Sequence, residues 1–204
     1  AFRVNAIGAQ NLSTAAYKIG AKILQVSTDY VFDGTGNSPK REYDPTNPQS
    51  IYGKSKALGE KLVIETNPRH FILRTAWLYG EGNNFVRTML KLAQEKDEIN
   101  VVNDQIGSPT STVDLASCII NLINTEHYGI YHATCEGECS WYDFAKRIFA
   151  LKNIKVKVNP ITTKELNRPA KRPAYSVLEN FMLKLIGLNN FLQWEDALEE
   201  YLGR

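Results

Sequence analysis

The sequence predicts an α/β protein: a doubly wound parallel sheet with a smaller, loop-rich C-terminal region. Three observations point there. Over the first 80 residues helical and apolar strand-like segments alternate as helix, strand, helix, strand, with short connections between them. The chain has 204 residues, of which 43% are hydrophobic and 23% charged, enough to bury one substantial core. Beyond Gly80 the alternation becomes less regular, and Pro169 and Pro173 interrupt a basic stretch.

The elements follow in order. Residues 2–19 read as a helix with a partial apolar face from Val4, Ile7, Leu12, Ala15 and Ala16, closed by Gly20. Residues 22–27 form a short strand, followed by the loop Thr28-Asp29-Tyr30-Val31-Phe32-Asp33-Gly34. Ser50 occupies an N-cap position, and a helix runs to about Glu65 before Asn67-Pro68 stops it. Residues 71–74 are the next strand. Asn84 caps a helix to about Gln94, Val101-Val102 is a short strand, 114–124 a helix and 129–133 a strand. Ser140 and Asp143 have the spacing of a capping box opening a helix to about Leu151. Residues 160–180 read as irregular, and 191–202 as a final helix. These elements divide the chain into a nucleotide-binding remainder, 1–80 and about 99–133, and a substrate-binding region, about 81–98 and 134–204.

Composition excludes several classes. The net charge is +2 with no lysine- and arginine-rich face, so nucleic acid is not an expected partner. No apolar run approaches the roughly 18 residues of a membrane helix, and the first residues lack the pattern of a secretion signal. Three cysteines are too few, and odd in number, for a disulfide framework, which suits a reducing cytoplasm. His132, Cys135 and Cys139 lie close in sequence but lack a fourth ligand and a paired Cys-x-x-Cys spacing, so no metal site is expected.

The chemistry falls on Tyr52-Gly53-Lys54-Ser55-Lys56. Four residues apart on a helix, Lys56 can approach the Tyr52 hydroxyl. An ammonium there, with the positive end of the helix dipole, would lower a phenol pKa of about 10 toward a useful general acid. Spacing alone is weak evidence: ten tyrosines and fifteen lysines give about 0.7 such pairs by chance. A second pair, Tyr142 and Lys146, indeed occurs among Trp141, Phe144, Ile148 and Phe149, where core packing and a solvated lysine account for it. Context separates the two. Ahead of Tyr52 lies a strand ending in Ser27-Thr28, at the carboxyl edge where open parallel sheets hold ligands. A hydroxyl there can bond a substrate carbonyl and the tyrosine oxygen together.

With these residues in hand, the chain resembles the dTDP-4-dehydrorhamnose reductases of the extended short-chain dehydrogenase/reductase superfamily. Five segments carry the likeness: Val4-Asn5-Ala6, Ser27 to Gly34, Tyr52 to Lys56, Arg74-Thr75-Ala76-Trp77-Leu78-Tyr79-Gly80, and Asp104-Gln105-Ile106-Gly107-Ser108-Pro109-Thr110. The resemblance implies a Rossmann-type fold and a catalytic group of Thr28, Tyr52 and Lys56. Tyr52 and Lys56 would also bind the cofactor, NADPH or NADH, and Thr28, Asp29, Tyr30 and Trp77 would bind a nucleotide sugar. Mg2+ is an additional candidate, and a homodimer the candidate assembly. The expected reaction is reduction of the 4-keto group of dTDP-4-dehydro-L-rhamnose.

The likeness departs at the front. A glycine-rich turn after a first strand would cradle the pyrophosphate, yet Gly8 and Gly20 are isolated and follow no strand. The expectation is a trimmed chain, with the residue choosing NADH or NADPH in the part ahead of Ala1.

Plainer readings stand beside the functional ones. Trp77 is either a core aromatic or a substrate contact, and Asp29 either caps its turn or serves the site. Arg168, Lys171 and Arg172 either grip a diphosphate or line a solvated loop. The rival functions are a nucleotide-sugar 4-epimerase or dehydratase, which retain their cofactor, and a non-catalytic regulatory homologue.

Overall fold

The computed structural model describes residues 1–167 and 172–203. A π-helical stretch, Arg3–Gly8, continues directly into α1 (Ala9–Lys18), and Gly20 follows with a left-handed φ of 69°. β1 (Ile23–Thr28) passes into a 3-10 turn at Asp29–Val31. α2 (Ile51–Thr66) begins where the Ser50 hydroxyl accepts the Gly53 N–H at 2.9 Å, and β2 (His70–Thr75) follows.

Next come β3 (Leu78–Tyr79), α3 (Phe85–Glu95), β4 (Glu98–Val102), β5 (Ile106–Gly107), β6 (Thr110–Ser111) and α4 (Thr112–Ile123). β7 (Gly129–His132), β8 (Cys139–Ser140) and α5 (Trp141–Leu151) follow. Ser140 and Asp143 form the full capping box at the start of α5. β9 (Lys157–Ile161), α6 (Thr163–Leu166), α7 (Phe181–Leu185) and α8 (Trp194–Gly203) complete the described chain.

The central sheet is parallel, in the order β1-β2-β7, with Thr28 level with Thr75 at the carboxyl end. Alternate residues of β2 serve opposite faces. Phe71 and Leu73 enter the main core with Leu115, Cys118 and Leu122 of α4 and Tyr131 of β7. Arg74 points the other way, to Glu60 of α2. This is the Rossmann-type layering that the alternation of helix and strand predicts.

Three expectations are corrected. Val4 and Leu12, assigned by periodicity to a buried face, are 75% and 68% exposed. The first helix instead meets α2 through Asn5, Ala6 and Ser13: Asn5 donates to the Ser55 hydroxyl at 3.0 Å and Ser13 to the Val63 carbonyl at 3.3 Å. The two backbones approach so closely that a Cβ on Gly59 would lie 2.1 Å from the Asn5 carbonyl oxygen, which selects small residues over large apolar ones. Second, the strand at Val101-Val102 does not join the central sheet, as its grouping with the nucleotide-binding remainder expects. It pairs parallel with β9, a strand for which the sequence predicts no element. Third, the segment 160–180 is not wholly irregular, because Thr162 and Glu165 close a capping box around the short α6.

Among the described residues no helix is long and apolar enough to cross a membrane. The three cysteines are free and buried. His132 directs Nδ1 at the carbonyls of Lys40 and Glu179, while the Cys135 thiol donates to Asp114 at 3.3 Å.

Candidate active site

A cavity of about 580 Å³ opens at the carboxyl end of β1 and β2. Thr28, Asp29, Tyr30, Tyr52, Lys56 and Trp77, all singled out by sequence, line it together. Tyr142 and Lys146 do not; the Lys146 ammonium instead lies over its partner's ring at 5.2 Å, on an exposed side of α5.

The end of β1 supplies the first wall. Thr28 donates to Asp29 Oδ1 at 2.8 Å and accepts the Tyr30 N–H at 3.3 Å, starting the 3-10 turn. That turn buries Asp29 directly behind the cavity. Burial raises the Asp29 carboxyl to about 6, against the smaller lowering influence of the Thr28 and Ser176 hydroxyls. Asp29 Oδ2 and the Thr75 hydroxyl are buried at this wall with no hydrogen-bond partner among the described residues. Buried polar atoms are rarely left so, and these two suit a polar ligand.

α2 supplies the second wall. Gly53, in its first turn, is required by proximity: a Cβ there would lie 2.2 Å from the Tyr30 carbonyl oxygen. This contact seats Tyr52 edge-on against Tyr30, with ring centroids 5.7 Å apart. Tyr52 remains 46% exposed, open to the cavity. Its phenol stands above the usual range because of burial; approach of the Thr28 hydroxyl pulls it down, and the Asp29 carboxylate pushes it up again. This corrects the expectation that Lys56 depresses it. The Lys56 ammonium donates to the Val26 carbonyl at 2.6 Å, and burial lowers its own pKa while the Glu60 carboxylate raises it.

Trp77 forms the third wall just past β2, with a left-handed φ of 48°, uncommon for a bulky residue. Its ring stacks on Trp141, with centroids 3.6 Å apart. Gly107 presses against the same ring, where a Cβ would come within 2.4 Å of Trp77 Cε2. Trp141, read from sequence as core packing, therefore lines the site as well. Its position directly after the Ser140 cap gives no hint of this, since α5 is far from β2 in sequence.

Ser176 and Arg172 also reach the cavity. Sequence left Arg172 open among three basic residues, and Arg168 and Lys171 lie outside the described residues. Through Gln105, Trp141 and Arg172 the cavity adjoins a second of about 390 Å³, lined by Phe85, Met89 and Leu92 among others.

The arrangement can hold a polar substrate with an aromatic floor and deliver a proton from Tyr52. A family model described as RmlD substrate binding domain matches residues 1–204. The chain is 47% identical to the spore coat polysaccharide biosynthesis protein SpsK of Bacillus subtilis, covering 99% of this chain and 71% of that one. It is 48% identical to a dTDP-4-dehydrorhamnose reductase of Aggregatibacter actinomycetemcomitans, covering 88% of this chain and 65% of that one. A crystal structure of a dTDP-4-dehydrorhamnose reductase from Clostridium acetobutylicum superposes with a TM-score of 0.98 at 55% identity, covering 100% of this chain and 72% of that one. One from Bacillus anthracis, in complex with NADP, superposes at 0.97 with 47% identity, covering 99% and 72%. On the match over residues 1–204 and on these relatives, the chain belongs to the dTDP-4-dehydrorhamnose reductase family.

Proposed function

We propose that the protein reduces the 4-keto group of dTDP-4-dehydro-L-rhamnose with NADPH or NADH, giving dTDP-L-rhamnose. The observation that carries this reading is the convergence of Thr28, Tyr52 and Lys56 with Asp29 and Trp77 on one cavity at the sheet's carboxyl end. The identity to dTDP-4-dehydrorhamnose reductases supports the substrate, and the NADP bound in one similar structure supports the cofactor.

The residues present fit a nicotinamide ribose. The Lys56 ammonium has a backbone carbonyl for a partner and donors to spare, and Tyr52 opens beside it. When bound, the reduced nicotinamide supplies a hydride to the substrate's C4. Tyr52 then delivers its phenolic proton to the C4 oxygen, so that hydride and proton together complete the alcohol. Thr28 orients that oxygen and steadies the phenolate left on Tyr52, while Lys56 holds the ribose. The exposed edge of Tyr52 lets solvent return the proton. Asp29 Oδ2 and the Thr75 hydroxyl receive sugar hydroxyls, and Trp77 carries the apolar face of the ring. Arg172 meets the diphosphate, and the adjoining cavity with Phe85 and Trp141 takes the base.

The test is an assay of the full-length protein with the 4-keto nucleotide sugar and each reduced cofactor. Consumption of one cofactor per product formed is the expected result. Turnover with the cofactor retained would instead indicate an epimerase or dehydratase, and no turnover a non-catalytic homologue.

A further inference from the structure

Three side chains along one side of α2, each four residues from the next, meet the last three residues of β1. The Tyr52 phenol faces the Thr28 hydroxyl, Lys56 donates to the Val26 carbonyl at 2.6 Å, and the Ser27 hydroxyl donates to Glu60 Oε1. Glu60 is 4% exposed and Arg74 3%, so their pair lies wholly inside the protein. Arg74 grips the carboxylate as a fork, with Nη2 at 2.8 Å from Oε2 and Nε at 3.1 and 3.2 Å from the two oxygens. Arg74 also donates to the Glu42 carbonyl at 3.4 Å and lies over the Phe32 ring.

A buried ion pair is seldom a net gain in stability over well-packed apolar side chains, so its retention calls for another reason. Its placement offers one. Glu60 lies one turn beyond Lys56, its other partner immediately precedes Thr28, and Arg74 stands three residues before Trp77. One carboxylate thus joins α2 to two strands of the site, β1 and β2.

We propose that Glu60, held by Arg74, is a positioning residue that fixes the tip of β1 against the Tyr52–Lys56 helix and keeps the Lys56 ammonium charged. The placement of the reaction on Tyr52 and Lys56 rests on the reductase reading. Among the described residues the titratable and charged groups around Lys56 include Glu60 and Tyr52 on its own helix, Asp29 and Tyr30 after β1, Arg74 on β2, and Arg172 across the cavity. The first helix meets α2 through the uncharged Asn5, Ala6 and Ser13. Glu60 is the nearby carboxylate that favours the charged ammonium against burial.

The experiment compares wild type, Glu60→Gln and the double variant Glu60→Leu/Arg74→Leu in the full-length protein. The double variant removes both charges and keeps apolar volume, so it folds even if Glu60→Gln leaves Arg74 too poorly matched to do so. Lys56 is titrated through its 15Nζ resonance, and kcat, KM and Tm are measured beside it. Glu60→Gln should lower the Lys56 pKa, and the double variant, which also removes the arginine charge, should lower it less. Both should lower kcat about 10- to 100-fold with KM for the nucleotide sugar within about twofold, as a misplaced proton donor requires. An unmoved Lys56 titration in Glu60→Gln overturns the proposal, as does a double variant that recovers both Tm and kcat. If wild type itself turns over no 4-keto nucleotide sugar, the reductase reading fails alone, and the Lys56 titration still decides the role of Glu60.

Discussion

Trp77 lies flat against Trp141, with ring centroids 3.6 Å apart and planes 7° from parallel. The stack leaves the Trp77 ring part of the cavity wall while fixing its plane. Replacing Trp77 by alanine removes an aromatic surface worth roughly 1 to 3 kcal/mol to a bound sugar. KM for the nucleotide sugar should therefore rise about 10- to 100-fold, with cofactor affinity nearly unchanged by calorimetry. Equal losses in both would place Trp77 in the fold and not at the substrate.

Gly107 backs the same ring. A Cβ there would sit 2.4 Å from Trp77 Cε2, and the stacked Trp141 limits how far Trp77 can retreat. Gly107→Ala should cost about 1 to 3 kcal/mol of stability by overpacking, and raise KM more than it lowers kcat. Urea denaturation and steady-state kinetics test the pair of effects. Unchanged stability would mean that the ring yields freely.

Tyr52→Phe keeps the ring and removes the proton. Cofactor and substrate should still bind, while kcat falls about 10²- to 10⁴-fold. Thr28→Val should slow turnover less, because it removes a hydrogen bond and leaves the donor. Turnover near the wild-type value in Tyr52→Phe would overturn the mechanism.

The alkaline limb of the pH profile should answer to Asp29. Its carboxylate raises the Tyr52 phenol, so Asp29→Asn should move that limb to lower pH in kcat/KM, which reports the free enzyme. A limb that stays in place would show that the Asp29 charge does not reach the phenol.

Asp29 also ties stability to pH. Its folded pKa of about 6 lies above the ordinary 3.8, so the folded state holds the proton more tightly than the unfolded chain. Its contribution is complete below pH 4 and is lost as pH rises through about 6. The buried charge then costs about 3 kcal/mol at neutral pH. Asp29→Asn, neutral throughout, should gain in Tm over wild type at pH 7.5 and lose that advantage at pH 4. A difference in Tm that is constant across this range would show that Asp29 titrates normally.

The sequence by itself determined the parts whose cause is local. The Ser50, Asn84 and Ser140 caps stand in the residues, because an N-cap needs only its own side chain and the next turn. The parallel layering of the first 75 residues was legible because alternating helix and strand leaves few topologies open. Thr28 and Tyr52 could be paired from a strand end and a helix start. Tertiary structure decided the rest. That the first helix meets α2 through Asn5, Ala6 and Ser13 follows from the close approach of Asn5 to Gly59, which no periodicity encodes. The partnership of β4 with β9 joins strands more than fifty residues apart. Trp141 became a wall of the site only because α5 docks beside Trp77, and Lys56 turned to the Val26 carbonyl because β1 ends within its reach. Spacing along one helix says which side chains share a face; what that face meets depends on packing between distant segments.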